Sequence, residues 1–82
     1  MLFILSNHAR VRVQHRGIKE EWIEATINSP QKTETDPEDP DALRAWKRIP
    51  EKSSVLRVVY NHTNKPYKII TVFFDRSMKN KL

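Results

Sequence analysis

Two stretches decide the fold of this chain: Val55–Tyr60, which reads Val-Leu-Arg-Val-Val-Tyr, and Tyr67–Phe74, which reads Tyr-Lys-Ile-Ile-Thr-Val-Phe-Phe. Both are rich in β-branched and aromatic residues, which favour strands. The polar segment Asn61–Pro66 between them is typical of a hairpin loop. Both stretches carry apolar residues on both strand faces, which is typical of strands in the middle of a sheet. The sequence therefore predicts an antiparallel hairpin at the centre of a sheet.

The N-terminal part of the chain predicts one short strand and two helices. Leu2–Leu5 is an apolar run, and the polar pair Ser6-Asn7 after it can cap a helix. A helix is expected over His8–Arg16, where no proline or glycine interrupts the chain, and it ends at Gly17, the only glycine. A second helix is expected over Lys19–Asn28, with acids in its first turn and an apolar stripe.

The remaining segments complete an α+β domain spanning residues 1–82. Lys32–Thr35 is weakly strand-like, and Arg44–Ile49 alternates around a tryptophan. Residues 36–41 form an acidic loop broken by prolines, and the polar tail over residues 77–82 is expected to fray. We expect two N-terminal helices packed on one face of a small, mainly antiparallel sheet, with the other face partly open.

Charge is segregated along the chain. Lys19–Asp41 carries eight acids and two bases, a net charge of −6, whereas the other residues carry thirteen bases and two acids, a net charge of +11. Such an excess of positive charge produces a field that attracts polyanions, above all nucleic acid, or an acidic protein segment.

Several classes of protein are disfavoured by composition. The chain has 82 residues and no cysteine, so it has no disulfide framework and no thiolate chemistry, and a reducing cytoplasm suits it. The apolar N-terminus is too short for a signal peptide, and no apolar run is long enough to span a membrane. Glycine-rich loops, nucleophile elbows and zinc spacings are missing, so no cofactor or metal is expected.

Four cationic or titratable residues of the first predicted helix fall on one face: His8, Arg12, His15 and Arg16. At 100° per residue they occupy an arc of about 100°. Like charges at this spacing repel, so acidic neighbours or an anionic ligand should offset them. The face is therefore either a solvated polar surface or a site that binds phosphate. A metal site is disfavoured because no third ligand stands at a suitable spacing.

Cations also lie on or beside the predicted strands. Arg57 interrupts an apolar segment, where a charge is costly unless it is paired or points to an open face. Pairing with an acid such as Asp75 and binding of phosphate across the open face are both consistent with this position. Lys47 follows Trp46, which is expected to pack in the core or at its rim rather than stack on bases.

One chemistry can use scattered cations and a histidine without a metal. RNA supplies its own nucleophile, the 2′-OH, and the protein orients it, transfers protons and stabilises the pentacoordinate phosphate. We hypothesise a single catalytic site in which His8 transfers a proton, since its ordinary pKa lies near neutrality. Arginine forks suit phosphate oxygens. The full set is His8, Arg12, Arg16, Lys47 and Arg57.

The motif His8-Ala9-x-x-Arg12-x-x-x-Arg16-Gly17-Ile18 resembles the opening signature of a family of small domains in the RelE/ParE toxin superfamily. Three later segments resemble the strands of that family in the same order: Trp46-Lys47, Leu56–Tyr60 and Ile70–Arg76. The resemblance covers nearly the whole chain. Two positions depart from it, because Val13 stands where a larger apolar residue is usual and Lys19 stands where Ser or Asp usually caps the second helix.

The resemblance implies a curved antiparallel sheet with two N-terminal helices and the role of a toxin in a toxin–antitoxin pair. Superfamily members cleave mRNA, often on the ribosome, and others poison DNA gyrase. We therefore expect a cytoplasmic, metal-independent ribonuclease, whose partners are RNA and an acidic antitoxin protein and not a membrane. The alternatives are a non-catalytic nucleic-acid-binding or regulatory domain and a gyrase-inhibitor type of toxin.

Overall fold

The computed structural model describes residues 3–82 and contains two α-helices and a five-stranded mixed sheet. The strand expected over residues 2–5 is present from Phe3 onward, and Met1 and Leu2 lie outside the described residues. In chain order the elements are β1 (Phe3–Leu5), α1 (Asn7–Arg16), α2 (Glu20–Asn28), β2 (Lys32–Thr35), β3 (Ala42–Ile49), a 3-10 turn (Pro50–Lys52), β4 (Ser54–Asn61), β5 (Tyr67–Phe74) and a second 3-10 turn (Arg76–Met78).

The predicted caps of α1 are confirmed. The hydroxyl of Ser6 accepts a hydrogen bond from the Ala9 amide at 3.0 Å, which satisfies one of the free donors of the first turn. Gly17 ends the helix in the left-handed conformation, with φ of 61°, which a residue with a Cβ adopts at a cost. The chain can therefore turn sharply between α1 and α2.

The sheet has the strand order β1-β5-β4-β3-β2. The predicted hairpin is confirmed, since β4 and β5 are antiparallel neighbours in the middle of the sheet. One feature was not anticipated: β1 pairs in parallel with β5, so the sheet is mixed. The register shifts between Val59 and Tyr60, where Ile70 of β5 has no residue opposite it, and this bulge lets Ile69 and Val72 both lie in the core.

Both helices pack on one face of the sheet, which we call the helix face, as predicted. The stripe of α2, with Trp22, Ile23 and Ile27, packs with Leu56 and Ile69 of the central strands in one apolar cluster. No helix among the described residues is long and apolar enough to cross a membrane.

The C-terminal tail, residues 77–82, contacts the sheet through its apolar side chains. Met78 is buried, and together with Leu82 it packs on Trp46 and Val55 on the second face of the sheet, which we call the tail face. Arg48 fastens the tail by donating hydrogen bonds to the carbonyl oxygens of Lys79 and Leu82. The two apolar residues of this otherwise polar tail thus contact the apolar surface of the sheet, and fraying of its last residues stays a prediction.

Candidate anion-binding cleft

The predicted cations of α1 share one flank of the helix. His8 and Arg16 are exposed and Arg12 is half-buried, beside the stripe that packs Ala9 and Val13 against the sheet. His8 and Arg16 nevertheless lie at opposite ends of the helix. Eight residues at 1.5 Å each separate them by about 12 Å along the axis. Their backbone positions are therefore more than two helical turns apart.

Lys47 and Arg57 lie on opposite faces of the sheet. Lys47 pairs with Leu56 across the ladder, so its side chain shares the helix face with Leu56. There its Nζ donates a hydrogen bond to the carbonyl oxygen of Ser29 at 2.9 Å, just after the end of α2. Arg57 follows Leu56 and therefore projects from the tail face. The structure thus does not bring the five predicted residues together in one site.

Arg57 belongs to a row of alternating cations and aromatic rings on the tail face, which we call the cation–aromatic ladder. Its guanidinium lies 5.5 Å from the ring centre of Trp46 and 5.1 Å from that of Phe73, in positions that the strand register places side by side. Lys32 completes the row. Its Nζ lies 5.6 Å from the ring centre of Trp46, the residue opposite it on β3. The four residues span β2, β3, β4 and β5.

Asp75 pairs with the arginine of the ladder. Its carboxylate lies 3.9 Å from Nη1 of Arg57 and accepts a hydrogen bond from Nε1 of Trp46 at 2.9 Å. Burial disfavours the charged carboxylate, but hydrogen bonds from Ser77 and Trp46 and the charge of Arg57 outweigh it and hold the pKa of Asp75 below its ordinary value. Of the two interpretations of Arg57, pairing with Asp75 is the one observed.

A second cluster of cations surrounds an open depression of about 610 Å³ at one end of the sheet. Arg16 reaches it from the end of α1, Lys52 from the first 3-10 turn and Arg76 from the second. Ser54, the first residue of β4, and Phe74, the last of β5, complete its lining. We call this the cationic cleft.

The cations of the cleft form no ion pair with an acid in the described part of the chain. Within residues 3–82, no carboxylate forms an ion pair with Arg16, Lys52 or Arg76. Glu51 and Asp75 directly precede two of these cations in the chain, but each carboxylate is held by a tryptophan indole. The two bonds are Trp22 Nε1 to Glu51 Oε2 at 3.2 Å and Trp46 Nε1 to Asp75 Oδ2 at 2.9 Å.

The acidic stretch Lys19–Asp41 contributes nothing to the lining of the cleft. Part of it is neutralised locally, because Asp36 pairs with Arg44 at 3.4 Å and Glu34 with Lys32 at 3.5 Å. A hydrogen bond from the Glu38 amide, together with the charge of Arg44, lowers the pKa of Asp36 against the opposing effect of desolvation. The lining of the cationic cleft is therefore drawn entirely from the part of the chain whose net charge is +11.

Sequence reasoning identified only one of the three cations of the cleft, Arg16. Ser54 and Arg76 could have been found from the predicted hairpin, since the start of β4 and the end of β5 lie side by side, with Leu56 opposite Phe74. Lys52 had no such signal, because its position depends on the turn of Pro50–Lys52. In the part of the chain that the structure describes, no group of three metal-binding side chains is present.

Residues 5–74 match the family described as Domain of unknown function (DUF4258). The chain belongs to this family. The match includes Arg16, Lys52, Ser54 and Phe74 of the cleft, whereas Arg76 lies beyond its end. No curated protein and no solved structure shows significant similarity to the chain.

Proposed function

We propose that this protein binds the phosphate groups of single-stranded RNA in the cationic cleft. One observation carries the proposal: Arg16, Lys52 and Arg76 converge from three separate elements, and among the described residues no carboxylate forms an ion pair with any of them. Keeping like charges together has a cost that an anionic ligand removes. Phe74 adds an apolar surface of the kind on which a base or ribose packs.

The geometry supports binding more strongly than cleavage. Metal-independent cleavage through the 2′-OH needs a group that transfers a proton close to the bound phosphate. The described lining of the cationic cleft contains no histidine, and His8 lies about 12 Å from Arg16 along the helix axis. The non-catalytic nucleic-acid-binding alternative is therefore the better supported one, and ribonuclease activity is an outcome to be measured beside it.

We further propose that the fold is that of the RelE/ParE superfamily and that the protein is toxin-like. Two features support this: the motif from His8 to Ile18 covers α1 and the turn after it, and both helices precede the main antiparallel strands, as the resemblance implies. Inducing the chain alone in bacteria separates the alternatives. Loss of intact mRNA would favour a ribonuclease, relaxed DNA would favour a gyrase inhibitor, and unimpaired growth would contradict toxicity.

RNA binding is tested by fluorescence anisotropy with a labelled single-stranded RNA at several salt concentrations. If the three cations together neutralise about three units of phosphate charge, the log–log slope should lie near −2, from about 0.7 per charge. Arg16→Ala and Arg76→Ala should each weaken binding about tenfold, equivalent to roughly 1.4 kcal/mol. Both side chains are exposed, so the melting temperature should barely change.

Lys68→Ala is the matched control, because Lys68 is an exposed cation near the opposite end of β5 from Phe74. The control should bind RNA almost as tightly as the natural chain. An absence of RNA binding at low salt, or an equal loss in the control and the cleft variants, would contradict the proposal. Gel analysis of the same samples, with His8→Ala alongside, reports any cleavage.

A further inference from the structure

We infer that the cationic cleft recognises a terminal phosphate, the phosphomonoester at the end of an RNA chain, rather than an internal phosphodiester. The inference rests on the proposed RNA binding at the same cleft. It concerns which phosphate of the RNA occupies the site, and it follows from the number of charges, the number of donors and the size of the depression.

The charge of the cleft exceeds what one internal phosphate can neutralise. Three cationic side chains line the depression, and within residues 3–82 none of them forms an ion pair with a carboxylate. An internal phosphodiester carries a single negative charge, whereas a phosphomonoester carries about −1.5 to −2 at neutral pH. A terminal phosphate therefore matches three cations better than an internal one does.

The donors of the cleft also fit a terminal phosphate. A phosphomonoester presents three non-bridging oxygens, and each accepts strong hydrogen bonds. Arg16 and Arg76 can each offer a planar pair of N–H donors, and Lys52 offers a point charge. The hydroxyl of Ser54 adds a neutral donor on the same lining. A phosphodiester has only two free oxygens and leaves part of this set unused.

The size of the cleft suits a whole nucleotide. Its volume of about 610 Å³ lies in the range of small-molecule sites and is much larger than a lone phosphate requires. Phe74 is the apolar part of the lining, and its ring is fixed by an edge-to-face contact with Trp22 at 6.3 Å. The terminal ribose or base can pack on Phe74 while the phosphate meets the cations.

The three cations come from the ends of elements, which leaves the depression open at the end of the sheet. An internal phosphate would have to bring chain in on both sides of the site, whereas a terminal one needs room on a single side. The open end of the depression gives the RNA chain that leaves a terminal phosphate a path out of the site.

The test compares one short RNA in three forms: with hydroxyls at both ends, with a 5′-phosphate and with a 3′-phosphate. We expect at least one phosphorylated form to bind about tenfold more tightly than the hydroxyl form, and the two phosphorylated arms identify the end. Adenosine 5′-monophosphate and inorganic phosphate serve as competitors that report whether the nucleoside contributes.

Variants connect this preference to the cleft. Arg16→Lys and Arg76→Lys keep the charge but remove the planar fork, so each should reduce the preference for the phosphorylated end by severalfold. Arg16→Ala and Arg76→Ala should abolish it, and Lys68→Ala should leave it intact. Circular dichroism of each variant confirms that the fold is retained.

The possible failures are distinguishable. Equal affinity for all three RNA forms, with binding still lost in Arg16→Ala, would overturn the terminal-phosphate inference and leave RNA binding at the cleft in place. A preference that survives in Arg16→Ala and Arg76→Ala would also overturn it. An absence of binding to every form at low salt would overturn both the inference and the proposed function.

Discussion

The two faces of the sheet are stabilised by different kinds of interaction. On the helix face, side chains such as Ile23, Leu56 and Ile69 are fully buried and make an aliphatic core. On the tail face, Arg57 stacks between aromatic rings and Asp75 balances its charge. Apolar burial is non-directional and tolerates some rearrangement, whereas a buried charge depends on its particular partner. The two faces should therefore respond differently to substitution.

The contacts that stabilise the tail face also position part of the cationic cleft. Asp75 accepts from the Ser77 amide and hydroxyl at 3.0 and 2.5 Å, which shapes the 3-10 turn that carries Arg76. Stabilisation of the tail face and placement of a proposed ligand-binding residue thus depend on the same carboxylate. The helix face contributes Arg16 through α1, so both faces contribute to the one cleft.

The largest expected effect is on the helix face. Leu56→Ala removes a side chain that is 0 % exposed and leaves a cavity, so it should reduce the free energy of unfolding by about 2–5 kcal/mol. Chemical denaturation measures the loss. Val11→Ala, at an exposed position of α1, is the control and should change stability by less than about 0.5 kcal/mol. A loss below about 1 kcal/mol for Leu56→Ala would show that the aliphatic core does not dominate stability.

The second prediction concerns the partly buried pair of Arg57 and Asp75 on the tail face. Asp75→Asn keeps the shape of the side chain but leaves the charge of Arg57 uncompensated, which should cost about 1–3 kcal/mol. In the double variant with Arg57→Met no charge is stranded, so the loss should be smaller than the sum of the two single losses. A double-mutant cycle measures this coupling, expected to lie at about 0.5–3 kcal/mol. Additive losses would contradict the pairing.

The helix face could be predicted from the hydrophobic pattern, because its elements obey simple periodicities. The stripe of Trp22, Ile23 and Ile27 and the alternation of β4 specify which side chains face each other. The parallel pairing of β1 with β5 was not predictable in this way, since a three-residue strand carries no information about its partner.

The tail face and the cleft were harder to predict, for a physical reason. The stacking of Arg57 on Trp46 depends on the register of β3 with β4, and the docking of Met78 depends on the surface that this register creates. Lys52 and Arg76 enter the cleft through 3-10 turns, whose direction local composition does not determine. Arg16 was found because helical periodicity alone placed it on the cationic flank.

The third prediction tests whether the tail positions Arg76. Arg48→Met removes the hydrogen bonds to the carbonyl oxygens of Lys79 and Leu82, which should cost about 1 kcal/mol and loosen the tail. Hydrogen exchange of the amides in residues 76–82 should accelerate, and RNA binding should weaken because Arg76 is less ordered. Arg44→Met is the control, since Arg44 pairs with Asp36 in the acidic loop. Unchanged exchange in the tail would contradict the role of Arg48.

The smallest expected effect is a change in acid sensitivity, and it isolates the charge of Asp75 from its shape. The pKa of Asp75 is lowered in the folded protein from a reference of 3.8, since hydrogen bonds and Arg57 outweigh the cost of burial. The unfolded chain therefore binds a proton at higher pH than the folded one. The stabilisation from Asp75 is complete above the reference value and is lost as pH falls through the lower folded value.

Asp75→Asn has no proton to gain at this position, so its stability should fall less steeply than that of the natural chain below about pH 4. Denaturation midpoints measured along an acid series provide the comparison. Asp36 also has a lowered pKa, through its hydrogen bond from the Glu38 amide, but it is a solvent-screened group of the loop. Asp36→Asn should flatten the acid response less than Asp75→Asn does. If the two variants and the natural chain lose stability in parallel, the charge of Asp75 does not determine the acid sensitivity. The difference between the tail face and the helix face would then not depend on that charge.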